Sequence, residues 1–205
     1  MIAIVDCGIN NLLSIHNALL SLGADVRICS TPEDLGDADR IVLPGVGAFQ
    51  DCMHNLRSRG FEPALDELVM VRGVPILGIC LGMQVMARIS HENGEHRGMG
   101  WIDAEIVRLA PQPDSLRVPQ MGWNDVSYRA GSPLFSGLPQ QCDVYFVHSY
   151  WMDCCDQNDV DAWCDYGGRV TAAVRRNNIV ATQFHPEKSQ DFGMRVLDNF
   201  LGWNP

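Results

Sequence analysis

The feature that most constrains this chain is the alternation in its first half. Short apolar runs, each closed by a glycine-bearing loop, are separated by stretches in which large apolar residues recur at helical spacing. Residues 2–5 (IAIV) are apolar throughout, as in a strand buried on both faces. The loop DCGINN follows. Leu12, Ile15, Leu19, Leu20 and Leu22 then lead to Gly23, a fitting helix stop. Further strands are expected at 25–29 (DVRIC), 40–43 (RIVL) and 74–79. Helices are expected at about 48–58, 62–71 and 81–90. This rhythm predicts an α/β fold with a mostly parallel central sheet and helices on both faces. Right-handed crossovers put the carboxyl ends of the strands along one edge, where open sheets bind ligands. DCGINN, PGVG and GICLG each follow a strand, so all three are expected at one rim.

The second half adds extra strands, at 102–108, 124–128, 144–150, 161–166, 170–175 and 178–184. RRNN at 175–178 reads as a hairpin turn, and a helix at about 190–201 closes the chain. With 205 residues, no internal repeat and no linker-like tract, a single domain over 1–205 is expected.

Composition narrows the function. A formal net charge of −10 disfavours non-specific nucleic-acid binding, which needs a basic surface. No apolar run reaches transmembrane length, and MIAIVDCG lacks the basic and long apolar regions of a signal peptide. The eight cysteines show no C-x-x-C pair and no Cys/His set with zinc spacing. They read as reduced thiols in a cytoplasmic protein, with no metal and no cofactor expected.

Cys80 stands apart from the other seven. It sits between Gly78 and Gly82, after an apolar strand, in the pattern G-I-C-L-G. A sharp strand-to-helix turn of this kind holds a nucleophile exposed above the sheet. The helix from Leu81 would aim backbone amides at the sulfur, which favours thiolate, and the Leu81 N–H could meet a developing oxyanion. A thiol nucleophile needs a base, and the base needs an orienting group. Of the six histidines, only His185 follows an apolar strand (IVATQF) with a carboxylate two residues on, in HPEKS. On an extended segment the side chains of His185 and Glu187 share one side, giving a candidate Cys80–His185–Glu187 triad. PGVG offers a second oxyanion donor through the backbone near Val46 and Gly47. Glycine on both sides of Val46 also makes a peptide flip there inexpensive.

GICLGMQ followed far downstream by FHPEKS resembles the class I (triad) glutamine amidotransferases. More narrowly, PGVGAF, PQMGWN and YFVHSYW look like the glutamine amidotransferase subunits of imidazole glycerol phosphate synthase. The resemblance covers essentially the whole chain. It implies a flavodoxin-like fold, Cys80 as nucleophile, His185 as acid/base and Glu187 as orienting carboxylate. It further implies a glutamine pocket including Gln84, His148, Ser149 and Tyr150. The released ammonia would be channelled to a (β/α)₈-barrel cyclase subunit, in a heterodimer serving histidine biosynthesis. Asn11, Pro119, Met121, Trp123 and Lys188 match positions such families use near the partner. The chain departs from the usual pattern at Cys7 and Asn10 in its first loop and at Gln120 before MGWN. Those departures leave open a paralogous subunit that feeds a sugar amidotransferase in surface polysaccharide synthesis. A stand-alone thiol hydrolase and a non-catalytic scaffold are the remaining alternatives.

Overall fold

The computed structural model describes residues 1–8, 12–112 and 116–205. Its first half runs β1 (Ile2–Val5), α1 (Leu12–Ser21), β2 (Val26–Cys29), β3 (Arg40–Gly45), α2 (Phe49–Ser58), α3 (Phe61–Leu65), β4 (Ile76–Cys80) and the single turn α4 (Leu81–Gln84). Then follow β5 (Ala87–Ser90), β6 (His96–Arg97), β7 (Ile102–Arg108), β8 (Gln120–Tyr128), β9 (Gln141–His148) and β10 (Tyr150–Cys154). The chain ends with β11 (Val160–Asp165), β12 (Arg169–Arg176), β13 (Ile179–Thr182) and α5 (Gln190–Gly202).

Nine of these strands form one sheet in the order β2-β1-β3-β4-β13-β12-β11-β8-β9. Its first five strands are parallel, as the strand–helix rhythm requires. The others extend it with antiparallel neighbours, so of the extra strands expected in the C-terminal half those from residue 120 to 148 and from 160 to 182 lengthen the same sheet, while 102–108 belongs to a second one. The β12–β13 hairpin turns at Asn177, whose φ of 52° suits asparagine. One face buries Ile15 and Leu19 of α1 with Val196, Leu197 and Phe200 of α5. The other buries Phe49, Cys52, Met53 and Leu56 of α2 with Phe61 and Leu65 of α3. Each large apolar side chain so buried contributes about 1.5–3 kcal/mol before entropy is counted.

A second sheet, β10-β7-β5-β6, packs on the α2 face. It replaces most of the helix expected at 81–90. After Gln84 the carbonyls of Val85, Met86, Ala87 and Arg88 accept from Met99, Ile102, Gly100 and Gly98 rather than from residues one turn ahead. Gly98 permits this approach, since a Cβ there would overlap the Ala87 carbonyl oxygen. The strand expected at 144–150 is two strands, broken at Ser149.

The register places the functional loops. Gly45 lies opposite Cys80, and Ile79 opposite Thr182, so the carboxyl ends of β3, β4 and β13 are adjacent. PGVG, Cys80 and the segment leading to His185 therefore leave the sheet side by side. No helix among the described residues is long and apolar enough to cross a membrane.

Candidate active site

Cys80 occupies the turn between β4 and α4 with φ 54° and ψ −107°, a backbone conformation that side-chain-bearing residues rarely adopt. The flanking glycines allow it. A Cβ on Gly82 would overlap the Leu43 carbonyl oxygen, and one on Gly78 would lie 2.7 Å from Met86 Cε and 2.9 Å from the Gly82 oxygen. Strand β3, α4 and the turn thus pack closer than any side chain permits. Because α4 is only four residues long, its macrodipole is far weaker than a ten-residue helix would supply.

His185 follows β13 and is buried. Its Nδ1 lies 2.8 Å from Glu187 Oε1, and both side chains are nearly solvent-free. The segment 186–188 is a short 3₁₀ turn rather than the extended stretch expected, yet it still closes this contact. The turn is pinned from several sides. Ser189 Oγ donates to the His185 carbonyl at 2.6 Å and accepts from Tyr145 N–H at 3.0 Å. His185 N–H donates to the Tyr145 carbonyl. Nε2 of His185 and Oε2 of Glu187 are buried without a hydrogen-bond partner. Burial acts to lower the His185 pKa, but interactions with Cys80 and Glu187 outweigh it, raising the value from 6.5 to about 9. The imidazolium is thus the favoured form at neutral pH.

A cavity of ≈ 400 Å³ opens over Cys80 and His185. Val46, Gly47 and Leu81 line it beside the sulfur; Gln84, His148, Ser149 and Tyr150 form further wall. Every residue expected in the triad, oxyanion site and glutamine pocket is therefore brought together, except Glu187, which stands behind His185. Pro119, expected at a partner surface, also lines this cavity. Met121 and Trp123 are 65% and 44% exposed on β8. Trp123 packs edge-on to Tyr145, and the Lys188 ammonium lies 5.9 Å from the Tyr145 ring centre. Asn11, with Asn10, lies outside the described residues. A larger groove of ≈ 840 Å³ at the amino ends of the strands has no cysteine or histidine in its lining.

Sequence reasoning missed three polar residues here. Glu92 lines the cavity and accepts from Phe49 N–H at 2.7 Å, fixing the start of α2 just beyond PGVG. Gln183 is fully buried beside Cys80. Gln120, noted only as a departure, is also buried, with its carboxamide 3.0 Å from His148 Nε2. Burial pushes the His148 pKa down to about 4, so its ring is neutral. Its Nδ1–H donates to the Tyr150 carbonyl at 2.8 Å, so Nε2 must accept. Gln120 Oε1 faces the ring and its Nε2 donates to Cys164 Sγ at 3.8 Å, so a neutral ring whose Nε2 accepts requires the Gln120 carboxamide turned over from this placement. Burial pushes the Cys142, Cys154 and Cys164 thiols up, in keeping with packing cysteines.

Residues 3–202 match the family model of class-I glutamine amidotransferases, so this chain belongs to that family. The solved structures it resembles agree in fold. A glutamine amidotransferase superposes with a TM-score of 0.76 at 18% identity, covering 98% of this chain and 99% of that one. PurLQS from Thermotoga maritima gives 0.71 at 18%, covering 98% and 97%. Within the family its branch is that of imidazole glycerol phosphate synthase subunit HisH. The HisH 2 subunit of Nitrobacter winogradskyi is 43% identical over 209 residues, covering 100% of this chain and 99% of its own. HisH of Zymomonas mobilis is 44% identical over 208 residues, covering 100% and 96%. HisH 2 of Pseudomonas aeruginosa is 43% identical over 201 residues, covering 98% of each.

Proposed function

We propose that this chain is the glutaminase subunit of imidazole glycerol phosphate synthase, acting through Cys80, His185 and Glu187. The observation that carries the mechanism is the buried, unpartnered Nε2 of His185. It shares a cavity with a nucleophile on a strained turn, while Nδ1 is held by Glu187. His185 takes the Cys80 proton, and its raised pKa lets it keep that proton. The thiolate attacks the glutamine amide carbon, forming a C–S bond. The oxyanion meets backbone N–H groups of Leu81 and of the Val46–Gly47 segment. The imidazolium passes its proton to the amide nitrogen, the C–N bond breaks and ammonia leaves. Water then gives a proton to His185 and attacks the thioester. The C–S bond breaks, glutamate leaves and the proton returns to sulfur.

The ammonia passes to a cyclase subunit that docks on the face carrying Met121, Trp123 and Lys188. Two exposed large apolar residues, on the strand that follows the cavity-lining Pro119, support that reading, since Met and Trp are enriched in interface cores. The HisH naming of full-length relatives favours the histidine pathway over a sugar-modifying acceptor. The test is glutamate release from glutamine by the chain mixed with the cyclase subunit and its nucleotide substrate. Activity that rises with both supports the assignment; turnover unaffected by either points to a stand-alone hydrolase.

A further inference from the structure

Cys80 Sγ has two further polar neighbours. The Val147 carbonyl oxygen is 4.0 Å away, and Gln183 Nε2 is 3.7 Å away. A thiol can donate to the carbonyl and accept from the amide, but a thiolate can only accept. The identity of the Gln183 atom facing the sulfur therefore matters, and the hydrogen-bond chain around it decides the question.

The chain starts at the Tyr150 carbonyl, which can only accept. Gln84 approaches it at 2.8 Å, so Gln84 must present its NH₂ group there. The same nitrogen lies 3.1 Å from the Gln183 side chain and donates its second hydrogen to it. Gln183 must then present its oxygen to Gln84, which leaves its own NH₂ facing Cys80. Gln84, Gln183 and Cys80 are buried and Tyr150 is half-buried, which makes reversal costly: flipping either amide would set two donors or two acceptors face to face.

We propose that Gln183 is a positioning residue for the nucleophile: its side-chain N–H, polarised through Gln84 by the Tyr150 carbonyl, holds the Cys80 sulfur as thiolate and aims it into the cavity. Gln183 acts on the sulfur and not on the substrate. The inference rests on Cys80 being the nucleophile. One consequence follows from the geometry. Gln84, a wall of the pocket, and the sulfur share a single amide, so a ligand that moves Gln84 changes the support of the sulfur.

The experiment compares Gln183→Met, Cys80→Ala and the unchanged chain, each with its cyclase subunit. Methionine keeps the length without the N–H. Glutamine kcat should fall about tenfold while KM stays within about threefold, and the pH profile of Cys80 alkylation by iodoacetamide should move up by about one pH unit. A folded Gln183→Met complex with unchanged kcat and alkylation profile overturns the proposal. So does a rise in KM alone with an unmoved profile, which would make Gln183 merely a prop for Gln84. If the variant does not fold, the unmodified chain decides. The ¹⁵N-labelled Gln183 side-chain amide should titrate in step with Cys80 alkylation and lose that titration in Cys80→Ala. An amide resonance that does not move over that range overturns it. Full activity in Cys80→Ala would instead remove the nucleophile itself. A dead Cys80→Ala beside a normal Gln183→Met sinks only the role of Gln183.

Discussion

Replacing Glu187 by glutamine probes the acid/base pair directly. Glu187 Oε1 sits 2.8 Å from His185 Nδ1, with both groups out of water. The His185 pKa rises from 6.5 to about 9. That rise favours the imidazolium, with the Cys80 and Glu187 interactions outweighing the burial that opposes it. A hydrogen bond to a charged group is worth about 1.5–3 kcal/mol, so losing the carboxylate should lower the His185 pKa by about 1–2 units. Proton delivery to departing ammonia requires imidazolium. The alkaline limb of glutaminase activity, expected near 9 in the intact complex, should therefore move to roughly 7–8 in Glu187→Gln. At pH 8 the variant should be roughly 10–100-fold slower, part of this from lost protonation and part from lost ring orientation. Steady-state glutamate release across pH, paired with NMR titration of the His185 ring, measures both. An unmoved limb together with an unmoved His185 titration would refute the reasoning, because Glu187 would then be a bystander.

Three other outcomes follow from the same structure. Gly82→Ala forces a methyl onto the Leu43 carbonyl oxygen, so β3 or the Cys80 turn must shift; the urea midpoint should report a loss of roughly 1–3 kcal/mol, with glutaminase activity falling alongside. Stability should peak near pH 6.5, because two buried histidines pull in opposite directions. Protonated His185 stabilises the fold fully below 6.5, and this is lost as pH rises to about 9; neutral His148 stabilises it above 6.5, and this is lost as pH falls to about 4, each by up to about 3 kcal/mol in denaturation curves taken across pH. Trp123→Ala should weaken binding of the cyclase subunit by about 2 kcal/mol, roughly 30-fold in titration calorimetry, while leaving the thermal melt of the free chain nearly unchanged.

Three strands of the parallel half, β1, β3 and β4, were legible because each is a short apolar run with a glycine-bearing loop at its end. That pattern also placed PGVG and Cys80 at one rim; His185 was found instead by its position after a strand with a carboxylate two residues on. The segment 81–90 was misread because its apolar spacing fits a helix. Its carbonyls are instead taken by residues 98–102, a partnership visible only in three dimensions. Tyr150–Cys154 was overlooked for a related reason, since it pairs with β7, more than forty residues earlier. Within the site, cysteine and histidine carry chemistry that spacing can flag. Gln183 does not, because a buried glutamine is recognised only by its partners. The one trace it left was its place in ATQFHPEKS, next to Thr182 at the end of a largely apolar strand.

The central claim is that Cys80 performs the first covalent step on glutamine. The most direct measurement is intact-protein mass spectrometry of the chain with its cyclase subunit after treatment with a glutamine-like electrophile, together with glutamate release. The account predicts a single adduct on Cys80, loss of glutaminase activity in proportion to labelling, and neither adduct nor activity in Cys80→Ala. Glutamate release by Cys80→Ala at the rate of the unchanged chain would contradict it.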